Sequence, residues 1–127
     1  NTEKHLHLGD IDSEHLMAMA YNAADLFVMP SLEEAFGQTA LESLSCGVPV
    51  VAFDVGGIPD IVKPSINGTL VPRGDSTKLA AGIEYMISQK EMRVKMGMKA
   101  RQIVTESFSF KKNASLYLNL YSRLLEQ

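Results

Sequence analysis

A chain of 127 residues with 46% apolar residues, 21% charged residues and a formal charge of −3 is sized for one domain, which buries roughly 65% of its unfolded surface on folding. This composition excludes disorder, a disulfide scaffold and a membrane span, and its mild acidity argues against general nucleic-acid binding, which wants a clustered basic face. The single cysteine, Cys46, cannot form an internal disulfide and fits a reducing cytosol. No signal-peptide pattern opens the chain, so a cytoplasmic location is expected. The first residue is not methionine, which suggests numbering that starts inside a longer protein.

His5-Leu6-His7-Leu8 alternates and stops at Gly9, predicting a short strand with its leucines on one face. His5 and His7 have no evident third metal ligand, so a plain strand face is the expectation. Asp10, Asp12 and Ser13 are N-cap candidates. Leu16, Met19, Ala20 and Ala23 then recur at helical spacing, predicting an amphipathic helix over 14–24 with that face inward. The apolar run Leu26-Phe27-Val28-Met29, closed by Pro30, is typical of a strand buried on both faces in a parallel sheet. A helix follows over 38–46, with Ala40, Leu41 and Leu44 inward and Gln38, Glu42 and Ser45 on the opposite stripe. Gly47 suits the C′ position and Pro49 follows promptly. Cys46, at that helix end, reads as a small buried residue rather than a reactive thiol.

Val48-Pro49-Val50-Val51-Ala52-Phe53 supplies a second buried strand over 49–53, and Val55-Gly56-Gly57-Ile58-Pro59-Asp60 a second glycine turn with Pro59 opening a short helix. Asn67-Gly68 marks a tight turn before the strand Thr69-Leu70-Val71. The acceptor patterns at Asn67 and Asn113 read as chance without a secretory signal. Beyond Asp75 three helices are expected. Leu79, Ala80, Ile83, Met86 and Ile87 stripe 76–89; Met92, Met96, Ala100 and Ile103 stripe 90–106. Ser109 caps 110–126, with Phe110, Ala114, Tyr117, Leu118, Tyr121 and Leu125 inward. The methionine-rich stripes are read as core rather than as an adaptable binding surface.

Strands alternating with helices predict an α/β fold. The expected form is a partial, Rossmann-like three-layer domain over 1–127, with a short parallel sheet of about four strands (5–8, 26–29, 49–53 and 69–71) and a helical C-terminal part. Ligands in such folds bind beyond the C-terminal strand ends. The glycine turns 31–38 and 54–58 lie there, as does the Arg73-Gly74 turn.

The most informative stretch is Pro30 to Glu42. A helix entered through glycine offers free N–H groups and a positive dipole end, so Gly37-Gln38-Thr39 is a ready phosphate site. One turn in, Glu42 could accept paired hydrogen bonds from a ribose diol, and Glu34 could hold a hydroxyl-rich group beyond the phosphates. Two other readings stay open on spacing alone. Ser31-x-x-Glu34 and Thr39-x-x-Glu42 both match a capping box, and two acids at fixed separation could serve hydrolysis of a glycoside.

Ala24-Asp25-Leu26-Phe27-Val28-Met29-Pro30-Ser31, Glu34-Ala35-Phe36-Gly37, Leu41-Glu42-Ser43 and Cys46-Gly47-Val48-Pro49-Val50-Val51 together resemble the C-terminal domain of family 4 glycosyltransferases. Gly56-Gly57-Ile58-Pro59-Asp60, Asn67-Gly68 and Val71-Pro72 continue the resemblance in order, over essentially the whole chain. It implies the donor-binding part of a retaining, metal-independent enzyme of the two-domain GT-B fold, which moves a sugar from a nucleotide-diphosphate sugar to an acceptor. On matched positions it implies a catalytic place for Glu34 near the donor sugar. Phe36, Gly37, Gln38 and Thr39 would face sugar and diphosphate, and Glu42 would hold the ribose. No metal and no cofactor other than the donor substrate are implied.

Asp60 stands where glutamate is commoner, which a shorter capping side chain accommodates. The larger departure is a Gly-Arg turn and a lysine that neutralise the diphosphate in this family; neither Arg73 nor Lys63 matches them. The resemblance therefore implies a partner in an N-terminal acceptor domain, a fragment inactive by itself, and a parent enzyme that could sit peripherally at the inner membrane surface. It also predicts that strand 5–8 moves to cover 26–29, or that the exposed sheet edge pairs with another chain to form a homo-oligomer. A non-catalytic binding module and a nucleotide-sugar epimerase fragment are the alternatives of the same fold.

Overall fold

The computed structural model describes residues 4–126. In chain order its elements are α1 (Glu14–Asn22), β1 (Phe27–Met29), α2 (Gln38–Ser45), β2 (Val50–Phe53), α3 (Ile58–Ile61), β3 (Gly68–Val71), α4 (Ser76–Ser88), α5 (Lys90–Ser107) and α6 (Phe110–Leu125). The apolar runs pair as a parallel sheet in the order β1-β2-β3. Phe27 lies opposite Val50 and Met29 opposite Ala52; Val50 lies opposite Gly68 and Phe53 opposite Val71. The central strand β2 is buried along its whole length, as expected of a parallel strand covered on both faces. α2 packs on β1 and β2, α4 on β2 and β3, and α5 lies against both helices. Leu44, Val50, Val51, Ile58, Ile61 and Met86 form the centre of the core.

The sheet has three strands where about four were expected. Residues 4–13 run as irregular chain, so the strand over 5–8 does not form, and Leu6 stays 83% exposed. Two leucines cannot hold a four-residue strand without a neighbour to complete its ladder. Nor does this segment cover 26–29: among the described residues β1 pairs with β2 alone and remains an open edge.

Local chemistry sets the helix ends. Ser13 caps α1 by accepting from the Leu16 amide at 3.4 Å, Asp75 caps α4 through the Lys78 amide at 2.9 Å, and Ser109 caps α6 through the Lys112 amide at 3.3 Å. α2 closes through Gly47, with the Gly47 amide donating to the Leu44 carbonyl and the Val48 amide to that of Ser43, a pairing that satisfies its last carbonyls. α4 ends against Arg93 of α5, whose guanidinium donates to the Met86 carbonyl at 2.9 Å and to that of Ile87, and reaches Asp25 at 3.1 Å. Asn67 is fully buried. Its Oδ1 accepts from the Lys63 amide at 2.7 Å and its Nδ2 donates to the Ile61 carbonyl at 2.9 Å, so it ties the end of α3 to the start of β3 and leaves no accessible glycan acceptor.

Three helix faces differ from the periodicity. α1 turns Tyr21 inward, with Met17 and Ala18 half-buried, and leaves Leu16 and Met19 exposed. The Tyr21 ring meets Phe27 edge-on at 5.6 Å, and that large aromatic contact outweighs two thinner side chains. α4 buries Leu79 and Met86 and exposes Ala80 and Ile87. Gly82 takes the face toward Val51, Thr69 and Val71, bringing the helix close to the sheet. α6 forms over the expected span but buries nothing: Phe110, Tyr117, Leu118, Tyr121 and Leu125 are all exposed. Of its stripe only Ala114 is half-buried, and the helix contacts α5.

Candidate ligand site at the strand ends

The parallel register brings Met29, Phe53 and Val71, the C-terminal residues of the three strands, to one edge of the sheet. The loops that follow carry the two glycine turns and Arg73. Together they enclose a shallow cleft of about 350 Å³ lined by Leu32, Glu33, Glu34, Asp54, Gly56 and Arg73. Arg73 spans part of it, its Nη2 donating to Glu33 Oε1 at 3.1 Å.

The glycine turns, separate in sequence, pack as one body. Gly56 holds φ at 49°, and a Cβ on it would run into the Glu34 carbonyl oxygen; one on Gly57 would lie 2.7 Å from the Ala35 carbonyl oxygen. Gly37 holds φ at 95°, the left-handed region that only glycine enters freely. A Cβ there would strike the buried Ile58 Cδ1.

Gly37 is also the N-cap of α2, and among the described residues no side chain caps that N-terminus. The first-turn amides of Gln38, Thr39 and Ala40 therefore lack intrahelical partners and point toward the strand-end edge with the positive end of the dipole. The capping-box alternative is not realised. Glu34 accepts from the Phe36 amide two residues on, at 3.4 Å, and Glu42 accepts at Oε2 from the Tyr21 hydroxyl at 3.1 Å. Neither glutamate closes a box on Ser31 or Thr39.

Glu42, Gln38 and Ser45 share the expected stripe and line a second cleft of about 440 Å³, whose other wall is Ile11 to Tyr21. Cys46, at the C-cap of α2, is half-buried on its floor. Glu34 and Glu42 thus line different clefts, Glu34 at the strand-end loops and Glu42 along α2. Two acids flanking one glycosidic bond would share a cavity, so this arrangement does not favour the hydrolytic pair. Phe36 leans on Phe108, ring centres 6.4 Å apart, and stays partly exposed beside the free amides.

Tyr21 is the residue of this candidate site that periodicity misses, because the Leu16, Met19, Ala20 and Ala23 stripe points to a different inward face. Burial first, and then its bond to Glu42 and the charge of that carboxylate, hold its phenol well above the ordinary tyrosine range. It is a protonated donor at neutral pH. Met17, Ala18 and Tyr21, at i, i+1 and i+4, form a stripe no weaker than that of Leu16, Met19, Ala20 and Ala23. Lys63 donates to the Pro59 carbonyl at 2.7 Å and Arg73 to Glu33, so both cations have local structural partners. Among the described residues no group of three or more His, Cys, Asp or Glu is placed to hold a metal, and no helix is long and apolar enough to cross a membrane.

A short parallel sheet flanked by helices, with loops gathered at its C-terminal strand ends, defines a Rossmann-like α/β domain. The chain belongs to the glycosyl transferases group 1 family, which it matches over residues 1–103. It is 32% identical over 126 residues to N-acetyl-alpha-D-glucosaminyl L-malate synthase of Bacillus anthracis, covering 96% of this chain and 33% of that one. To D-inositol 3-phosphate glycosyltransferase of Saccharomonospora viridis it is 37% identical, covering 80% of this chain and 23% of the relative. Its fold superimposes on sucrose-phosphate synthase from Thermosynechococcus elongatus with a TM-score of 0.85 at 36% identity, covering 94% of this chain and 30% of that one. The Anabaena protein HepE in complex with UDP-glucose matches with a TM-score of 0.76 at 30% identity, covering 84% of this chain and 30% of its own. The chain spans about a third or less of the length of these relatives. It is a group 1 glycosyltransferase domain of the GT-B, Rossmann-like type.

Proposed function

We propose that this chain is the donor-binding part of a retaining, family 4 glycosyltransferase that takes its sugar from a nucleotide-diphosphate donor. The observation that carries the reading is the N-terminus of α2, entered through Gly37 with no side-chain cap, with Glu34 lining one cleft and Glu42 another. Free first-turn amides and a helix dipole suit a diphosphate. On one side Glu42 accepts from the ribose hydroxyls. On the other, Glu34 stands near the transferring sugar as the catalytic carboxylate, with the Phe36–Thr39 backbone facing sugar and diphosphate. Likeness to a protein solved with UDP-glucose supports this reading. Donor binding is this domain's share of the reaction. The acceptor site, and the cations that neutralise a departing diphosphate, belong in this reading to a longer cytoplasmic protein. The donor is the substrate, and no metal takes part.

The test is titration of the chain with UDP-glucose by calorimetry, comparing wild type with Glu42→Ala. Losing hydrogen bonds from two hydroxyls to a carboxylate predicts about hundredfold weaker binding. Equal affinity of the two proteins would overturn the ribose assignment.

A further inference from the structure

We propose that Tyr21 is a positioning residue, holding the Glu42 carboxylate in the orientation that receives the ribose diol; this rests on the reading above. The role assigned to Tyr21 is exerted through Glu42, with which it shares a cleft. Tyr21 is 7% exposed, and its ring meets Phe27 of β1 edge-on, 5.6 Å between centres at 77°. The hydroxyl of a ring held in this way has one accessible degree of freedom, rotation of its hydrogen, and it donates to Glu42 Oε2 at 3.1 Å.

Glu42 needs such a tether. It sits mid-helix on a stripe facing a cleft, where a glutamate side chain is free among several rotamers, and ordering it on binding costs free energy each time. The Tyr21 bond orders the carboxylate in advance. It occupies one acceptor direction at Oε2 and leaves Oε1, together with the second lone pair of Oε2, for the two adjacent hydroxyls of a ribose. A carboxylate takes up to four donors, so tether and diol are compatible rather than competitive. The bond also links the sheet to the site: β1 holds Phe27, Phe27 holds Tyr21, and Tyr21 holds Glu42.

Tyr21→Phe keeps the ring, its burial and the Phe27 contact, and removes only the hydroxyl. A merely structural role for Tyr21 would alter the thermal midpoint and leave nucleotide discrimination alone. The test therefore reads affinities for UDP and for 2′,3′-dideoxy-UDP in wild type, Tyr21→Phe, Glu42→Ala and the double variant, with the thermal midpoint of each. The expected result is about tenfold weaker UDP binding by Tyr21→Phe, unchanged dideoxy-UDP binding, and no further loss when Tyr21→Phe is added to Glu42→Ala. Unchanged or tighter UDP binding by Tyr21→Phe, with Glu42→Ala still weakened, overturns the positioning role and leaves the ribose assignment standing. Equal weakening for UDP and its dideoxy analogue overturns it too. Glu42→Ala binding UDP as wild type does overturns both, as does absence of saturable UDP binding by the wild-type chain.

Discussion

At Gly37 two independent demands meet on one residue: a left-handed backbone at φ 95° and no room for a side-chain carbon beside Ile58. Replacing it with alanine incurs both the left-handed penalty and overpacking of a buried isoleucine. Gly37→Ala is therefore expected to destabilise the chain by about 2–4 kcal/mol in urea unfolding. Ile58→Ala in the same chain should make the added cost of Gly37→Ala smaller, down to the backbone share of about 1–2 kcal/mol. An unchanged cost in the Ile58→Ala background would show that the contact carries none of it. Glycines of this kind are legible in a sequence, since Gly37 before a helix and Gly47 after one announce themselves by position. The Tyr21–Glu42 bond is not. It joins residues 21 apart in sequence, and nothing local to either one names the other. The cluster of Glu33, Glu34 and Glu42 is plain in the sequence; that Glu34 and Glu42 line different clefts depends on how the helix between them is set on the sheet.

Among whole elements, existence and span were readable and orientation less so. The caps at Ser13, Asp75 and Ser109 stand where local chemistry put them, because capping is decided within four residues. Which face turns inward is decided by neighbours. α4 has apolar residues on more than half its circumference, and Gly82 rather than Ala80 meets the sheet. The 5–8 segment has a strand's alternation but no strand beside it, so periodicity alone misleads. Arg93 shows an element junction that the sequence hid. It lies on α5 with its side chain 11% exposed, closes the carbonyl end of α4, and meets an Asp25 side chain that is 80% exposed. Arg93→Ala is expected to cost about 1–2 kcal/mol, chiefly through the uncapped Met86 and Ile87 carbonyls. Asp25→Asn should cost about 0.5 kcal/mol or less, because an ion pair with one partner in open water contributes little. Chemical denaturation of both variants checks the order; equal losses would place the stabilisation in the ion pair instead.

For the molecule as a whole, the core closes before the chain does. Residues 26–108 supply the packed interior, the family match ends at 103, and α6 adds no buried residue. Removing 110–127 should therefore shift the thermal midpoint by less than about 3 °C. A larger fall would mean that α6 contributes packing to the domain. The same view explains what the sequence could and could not say about this helix. Its stripe from Phe110 to Leu125 is correctly amphipathic, and periodicity states that a face is apolar without stating what it meets. The parallel sheet, by contrast, was legible because its apolar runs are short, continuous and separated by helical stretches, a pattern few other architectures produce.

The backbone contact between Gly56-Gly57 and Glu34-Ala35-Phe36 also limits how the site can move and vary. Two loops that touch main chain to main chain share their freedom, so an ångström of travel in one displaces the other. The strand-end surface is thus a cast rather than a pair of fingers, and the donor proposed for it would meet it already shaped, with little ordering left to do. Divergence is constrained in the same way: a side chain added at either glycine disturbs the opposite loop before it reaches any ligand. Changes in selectivity are left to the rim, at Leu32, Glu33 and Arg73, where side chains can alter without moving the mould beneath them.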